Sequence, residues 1–313
     1  MNYLLMKSFL NYTVIQMIKG TSVNNDFKVT LESKFILLTI LAICFLATGG
    51  IFVKLSSLPP IATAFYRILF SIPILHPFVK ADLIKTSKKD RYLISLAGIF
   101  LALDLIFWNI SFHLTTVANA NLLANLVPFT VIPVSYFLYK KCLSKIFIIG
   151  LFITLIGLVI LMSGKLNPNI NNFKGDILAF ITSIFYGLFL LVVSNIRKRV
   201  DAMTIIFISG FGGALTLFVA MFVIEGLHYP KNINEIFPLL GLALVSQILG
   251  QGLLSYCIGK IDITLSSVLV LSQPIIAALY SYFIFRENLT FQEIFGILIV
   301  LIGIYLAKIG NSN

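Results

Sequence analysis

The chain has 313 residues, of which 59% are hydrophobic and 11% charged, and its mean hydropathy is +1.01. A soluble domain cannot hide so many apolar side chains, so the composition excludes a soluble globular protein. The net charge of +11 would suit a nucleic-acid-binding protein, but the basic residues are spread between apolar runs, and we expect no nucleic-acid partner.

Ten apolar runs follow an N-terminal stretch, 1–34, which we interpret as a cytoplasmic tail rather than a signal peptide. A bilayer core of about 30 Å requires roughly 20 apolar residues per helix, and each run has about that length. The pattern predicts an all-α membrane protein with ten transmembrane helices. The predicted spans are 35–53, 61–79, 92–112, 116–138, 145–163, 175–194, 202–224, 236–258, 262–284 and 292–309.

The connections between successive spans are alternately rich and poor in basic residues. If the N-terminus is cytoplasmic, 17 basic residues lie on the cytoplasmic side, five on the other side and one, Arg67, within a span. This bias predicts cytoplasmic N- and C-termini in a multi-pass protein of the cell inner membrane. The basic loops would also attract anionic headgroups, so membrane lipid is an expected partner.

The residue types that build metal or nucleotide sites are scattered. Cys44, Cys142 and Cys257 are an odd number in unrelated places, so we expect neither a disulfide nor a metal site. A Walker-type glycine-rich loop is absent from the sequence, and we expect no cofactor. A single carboxylate within the spans provides no acid–base pair, so we do not expect an enzyme.

Two charged side chains, Arg67 in span 2 and Asp104 in span 3, lie well inside predicted spans. At about 1.5 Å per residue they lie roughly 9 and 12 Å below the same membrane surface. Charges at such depth are costly and usually functional or paired, so we predict an ion pair, direct or water-bridged. The alternative is that Arg67 extends to the headgroups and Asp104 is only hydrogen-bonded.

Pro128 and Pro274 lie 13 residues into spans 4 and 9. Each removes one backbone hydrogen bond and displaces the carbonyl four residues earlier, that of Ala124 or Val270. Broken helices at equivalent places in two halves indicate a transporter's binding site, although a packing kink is the simpler alternative.

Further polar and aromatic side chains lie on faces of the spans, where lipid would force them inward. Bonding between helices without a ligand is the alternative for each one. As a group they suggest a cavity for a small polar or zwitterionic solute. With Arg67, Asp104, Pro128 and Pro274, the predicted substrate pathway comprises Trp108, Asn121, Asn125, Tyr186, Gln247, Gln251 and Gln273.

The chain repeats itself with an offset of 146 residues. In this register Pro128 matches Pro274, and Ser135-Tyr136-Phe137 matches Ser281-Tyr282-Phe283. Two domains of five spans each, 35–163 and 175–309, are therefore predicted, and five is odd, so the second copy is inverted. The repeated glycines of spans 5 and 10 predict close packing within the fold or, as the alternative, a homodimer seam.

Four stretches carry a resemblance to a known family: PPIATAFYRIL (59–69), TTVANANLLANLVPFTVIPVSYFLYKK (115–141), SQILGQGLLSY (246–256) and LSSVLVLSQPIIAALYSYFIFRENLT (265–290). They resemble the drug/metabolite transporter superfamily, and within it the EamA type. The resemblance implies two inverted five-helix repeats, cytoplasmic termini, a central cavity and secondary transport. Lys141 stands where the family commonly has a glutamate, whereas Glu287 fits that pattern in the second repeat.

We therefore expect a secondary transporter that moves a small polar organic metabolite, amino-acid-like or related, across the inner membrane by alternating access. The alternative is a flippase-like carrier of a lipid-linked intermediate, which would need a lateral opening between spans. Relatives of this type carry many kinds of small molecule, so the resemblance leaves the substrate open.

Overall fold

A computed structural model describes residues 25–140, 143–163, 173–286 and 289–312, and within these ranges the regular structure is helical throughout. The first 24 residues of the predicted tail lie outside the described residues. So do Lys141, Cys142 and Glu287.

Ten of the helices are long and apolar enough to cross a membrane, which confirms the predicted multi-pass α-helical fold. We number them α1 to α10 and divide the two broken ones into halves a and b. Their bounds are α1 Asn25–Leu55, α2 Pro60–Lys85, α3 Lys88–Leu114, α4a Val117–Ala124, α4b Pro128–Tyr139, α5 Lys145–Ser163, α6 Phe173–Ile196, α7 Ala202–Ala220, α8 Ile233–Ile258, α9a Ile263–Val270, α9b Gln273–Phe285 and α10 Phe291–Ser312.

Helix α1 begins at Asn25, ten residues before the predicted span, so the end of the predicted tail continues the helix. Hydropathy marks where a helix enters lipid and carries no information on how far it extends into water. Helix α2 begins at Pro60, whose fixed φ suits a first helical turn that needs no amide donor.

The breaks in α4 and α9 occur where the two prolines predict them. Helix α4a ends at Ala124 and α4b begins at Pro128, while α9a ends at Val270 and Pro274 is the second residue of α9b. Ala124 and Val270 are the residues whose carbonyls the prolines leave without their usual donor. Both long helices are therefore interrupted near their middles, at equivalent places in the two halves.

Two helices depart from α-geometry in a way that the sequence did not predict. The middle of α8, Leu242–Gln251, is a π-helix, and α7 is extended by a π-helical turn, Met221–Glu225. Such segments are rare and frequently lie at functional sites. Hydrophobic periodicity cannot reveal them because the same residues also fit an apolar α-helix.

Most of the larger helix contacts are preserved when each helix of one half is exchanged for its equivalent, five helices further along the chain. The contact of α1 with α8 corresponds to that of α6 with α3, and the contact of α2 with α8 to that of α7 with α3. The pairs α2–α7, α4–α9 and α5–α10 map onto themselves. Because successive spans alternate in direction, equivalent helices run antiparallel. This is the geometry expected of inverted repeats.

An even number of spans places both ends of the chain on one side, which we name the terminal face: α1 begins there and α10 ends there. The other side is the opposite face. Most of the apolar core lies between α1, α2, α3, α6, α7 and α8. A second cluster packs α5 and α10 against α9.

Helices α5 and α10 approach each other through glycines. A methyl group added to Gly150, Gly157, Gly296 or Gly303 would collide with the backbone of the facing helix. The repeated glycines therefore serve a contact within the fold, as small residues do where membrane helices pack closely.

We predict that Gly303→Ala lowers the stability of the detergent-purified protein by about 1–3 kcal/mol, because the new Cβ meets the backbone of Thr154 and forces the helices apart. Gly50→Ala is the matched control, since a Cβ there has nothing within 4 Å. Alanine favours a helix over glycine, so the control should be neutral or slightly stabilised. Thermal unfolding measures both, and equal melting temperatures would contradict the packing role.

Candidate functional site

Helices α1, α2 and α8 meet at a partly accessible arginine inside the bundle. The Nε of Arg67 in α2 donates a hydrogen bond of 3.0 Å to Oε1 of Gln247, which lies in the π-helix of α8 and is 1% exposed. Gly49 of α1 lies against the same place, where an added Cβ would be 3.9 Å from Nη1 of Arg67. The guanidinium is thus held inside the bundle instead of extending to a membrane surface.

A second contact of the same kind lies one turn further along α8. The hydroxyl of Tyr186 in α6 donates to Oε1 of Gln251 at 3.3 Å. Gln251 is 1% exposed, and its Nε2 has no hydrogen-bond partner among the described residues. Two glutamines of one helix therefore accept hydrogen bonds from two different helices.

Asp104 of α3 is the negative member of the group. It lies within electrostatic range of the guanidinium of Arg67 and of the hydroxyl of Tyr186. The carbonyl oxygen of Asp104 accepts a hydrogen bond of 3.3 Å from Thr182, which joins α3 to α6. Among the described residues no ion pair links Asp104 to Arg67, so the direct form of the predicted pair is not formed. The guanidinium uses its Nε for Gln247 instead.

The first half of α4 contributes the side-chain amide of Asn121, which contacts the only tryptophan of the sequence. Nε1 of Trp108 donates to Oδ1 of Asn121 at 3.3 Å, which joins α3 to α4a. Asn125 has a different role: its Nδ2 donates to the carbonyl oxygen of Asn121 at 2.7 Å and caps the interrupted helix. Pro128 is buried beside it, at the start of α4b.

These contacts define what we call the central polar site. Several of its side chains remain partly accessible although they lie far from the ends of their helices, whereas the two glutamines behind them are buried. Gln273 and Pro274 lie at the break of α9, partly buried, and no described hydrogen bond joins Gln273 to this group. The site consists of Arg67, Asp104, Trp108, Asn121, Tyr186, Gln247 and Gln251.

On the opposite face, a carboxylate ties the two halves together. Glu225, at the end of the π-helical turn of α7, accepts hydrogen bonds of 2.9 Å from the backbone amides of Ile61 and Ala62, in the first turn of α2. The hydroxyl of Tyr66 donates to the carbonyl oxygen of His228 at 3.0 Å. We name these three bonds the opposite-face latch. Glu225 follows the predicted span by one residue, so the sequence gives no reason to single it out.

A second carboxylate contact lies on the same face. Asp176 in the first turn of α6 accepts hydrogen bonds from the side chains of Thr115 and Asn119, at 2.6 and 3.1 Å. It fixes the start of the second half against the connection between α3 and α4a. Both carboxylate contacts therefore join the two halves at the opposite face.

The terminal face has an ionic contact and a cavity. Arg199 and Asp90 form an ion pair of 2.7 Å, and this contact raises the pKa of the Arg199 guanidinium. A cavity of about 300 Å³ lies between α4b, the end of α6 and the turn from α8 to α9a. Ser135, Lys198, Lys260 and Thr264 are among the residues that line it.

The described residues contain no group of three or more histidine, cysteine, aspartate or glutamate side chains that could hold a metal ion. The polar groups that do converge are a guanidinium, one carboxylate, amides and aromatic rings. Such a set can bind an organic solute through hydrogen bonds and opposite charges.

Comparison with known proteins gives one consistent result. The model of the EamA-like transporter family matches residues 33–163 and 173–309. Two proteins of Archaeoglobus fulgidus, each described as an uncharacterized transporter, are 26% identical to the chain. The matches cover 86% of the chain and 94% of the first relative, and 88% of the chain and 98% of the second.

A solved crystal structure has a similar fold, with a TM-score of 0.74 at 18% sequence identity. The match covers 90% of this chain and 98% of the other. At this level of identity the likeness concerns the fold alone.

We predict that Pro128→Ala slows hydrogen–deuterium exchange of the amides of residues 125–127 by about fivefold. The amide of the new alanine donates to the carbonyl of Ala124 and closes the helical turn that contains residues 125–127. One such hydrogen bond contributes about 1 kcal/mol, which opposes the opening of this turn. Pro133→Ala, within α4b and beyond the break, should leave these amides unchanged. Equal protection in all three proteins would show that the proline does not cause the break.

Proposed function

The chain belongs to the EamA-like transporter family, and from this premise we propose that it is a secondary carrier of a small zwitterionic metabolite, amino-acid-like, that works by alternating access in a cell inner membrane. The observation that carries the proposal is the arrangement of Arg67 and Asp104, a guanidinium and a carboxyl group that share one partly accessible polar site and form no ion pair with each other among the described residues.

A guanidinium and a carboxylate that do not pair with each other can both be satisfied by a ligand that carries a carboxylate and an ammonium group. A guanidinium binds a carboxylate through two parallel N–H donors, and a carboxylate such as Asp104 attracts an ammonium group. An α-amino acid carries both groups on one carbon. Trp108 and Tyr186 add aromatic surface against which the rest of such a molecule can pack.

The alternating-access part rests on the inverted halves and on a difference between the two faces. The first turn of α2 on the opposite face is capped by Glu225 of the other half, whereas the equivalent turn of α7 on the terminal face is capped by its own Asp201. The terminal face is also joined across the halves, by the ion pair of Arg199 with Asp90, but there the first turn of α7 keeps its own cap. The cavity of about 300 Å³ lies on the terminal face. We interpret the conformation as closed on the opposite face.

We predict that Arg67→Ala reduces amino-acid exchange by about 100-fold while the protein still folds, because it removes the charged donors for the substrate carboxylate. A thermal-shift screen of the twenty amino acids selects the probe, and counterflow in proteoliposomes measures its exchange. Arg91→Ala is the control: this arginine donates to backbone carbonyls at the end of α2, away from the site.

Analogues of the selected probe test the two charges separately. The decarboxylated amine should lose its dependence on Arg67, and the deaminated acid should bind better to Asp104→Asn than to the wild type. Exchange that is the same in Arg67→Ala and the wild type would refute the proposal. A wild type that moves lipid-linked molecules and none of the amino acids would favour the flippase-like alternative.

We also predict that Glu225→Ala shifts the protein towards a conformation open on the opposite face. A carboxylate at a helix N-terminus contributes about 1–2 kcal/mol, so its loss should change the ratio of closed to open molecules by about 5- to 30-fold. Double electron–electron resonance between spin labels at Ser57 and Leu227, in a background without native cysteines, would report a longer distance.

The control for this experiment is Glu235→Ala. Glu235 is a carboxylate on the same face, but it accepts hydrogen bonds from the backbone amide of Lys231 and from Nδ2 of Asn232, just before its own α8. Its loss should leave the distance distribution unchanged. If Glu225→Ala gives the same distribution as this control, the latch does not hold the opposite face closed.

A further inference from the structure

The two glutamines of the α8 π-helix stand behind the side chains that face the central polar site. Gln247 and Gln251 are each 1% exposed, whereas their partners, Arg67 and Tyr186, are partly accessible. In both contacts the glutamine supplies Oε1 as an acceptor. A ligand in the site would therefore reach Arg67 and Tyr186 before it reached either glutamine.

The contact at Arg67 decides which edge of the guanidinium is available. A guanidinium has five N–H donors in a fixed plane, and Gln247 takes the one on Nε. The edge formed by Nη1 and Nη2 remains for a planar anion with two oxygens. Because Gln247 is neutral, it orients the arginine without cancelling its charge.

The contact at Tyr186 decides the direction of a hydrogen bond. The tyrosine proton is committed to Oε1 of Gln251, so the phenolic oxygen can only accept a hydrogen bond from a ligand. The same helix therefore fixes Arg67 as a donor and Tyr186 as an acceptor. This polarity fits a molecule that has a carboxylate at one end and an N–H donor at the other.

We propose that Gln247 and Gln251 are positioning residues that set the donor and acceptor polarity of the substrate site through Arg67 and Tyr186. The proposal rests on the carrier function and names the residues that orient its binding groups. Both glutamines lie within the π-helical segment Leu242–Gln251, four residues apart.

Nitrogen-15 NMR of arginine side chains tests the first contact without any ligand. The Nε–H signal of Arg67, identified by its loss in Arg67→Lys, should be slow to exchange in the wild type and in Gln251→Leu. It should weaken or shift in Gln247→Leu. In Gln247→Glu the Nε–H signal should persist, because a carboxylate is also an acceptor. The new carboxylate, however, neutralises the charge of Arg67 that a substrate carboxylate would need.

Binding of the amino acid selected by the screen of twenty tests the consequence. We expect Gln247→Leu and Gln247→Glu to weaken binding by about 10- to 100-fold, the range for a hydrogen bond to a charged group. Gln251→Leu should weaken the decarboxylated amine more than the deaminated acid. The matched control is Gln292→Leu, a hydrogen-bonded glutamine at the start of α10, which should change neither the spectrum nor the binding.

The outcomes separate this inference from the carrier function. An Arg67 signal that is unchanged in Gln247→Leu would overturn the positioning role, whatever the transport result. Equal losses of binding for all three ligands in both Leu variants, together with lower thermal stability, would also overturn it in favour of a structural role. A wild type that binds none of the twenty amino acids would refute the carrier proposal, and the spectrum would still decide whether Gln247 orients Arg67.

Discussion

The structure depends on one constraint: in lipid, a polar group must find its partner inside the protein, because no water is available to it. Arg67 shows the consequence most directly. Its guanidinium cannot leave the bundle, and α8 supplies a buried amide oxygen to meet it. The hydrogen bonds between α2, α3, α4a, α6 and α8 all follow from this rule. The polar centre and the apolar exterior of the bundle therefore have the same cause, which is the absence of water in lipid.

Which of these features the sequence could predict depends on how local their causes are. The ten spans follow from hydropathy, and the breaks in α4 and α9 follow from single prolines whose effect on the backbone is fixed. Arg67 and Asp104 could be singled out because charges are rare in lipid. The partner of Arg67 could not be, because the choice between Asp104 and Gln247 depends on how α2, α3 and α8 pack.

The features that escaped prediction share a physical cause. The π-helix of α8 changes only the hydrogen-bond pattern of the backbone, and its residues remain those of an apolar span. Glu225 lies at the edge of its span, where acidic residues are ordinary. Its role becomes visible only when α7 is placed against the first turn of α2. Tertiary contacts of this kind leave no periodic signal in the chain.

Inversion explains why the central polar site can be asymmetric while the helix contacts are symmetric. Duplication gives equivalent helices the same neighbours, but each residue can diverge afterwards. Gln247 and Gln251 lie on α8, and the equivalent helix is α3, which contributes Asp104 and Trp108 instead. Helix α8 thus supplies two amides, and its equivalent α3 supplies a carboxyl group and an indole. A scaffold built from equivalent helices therefore encloses a site whose two ends differ in chemistry.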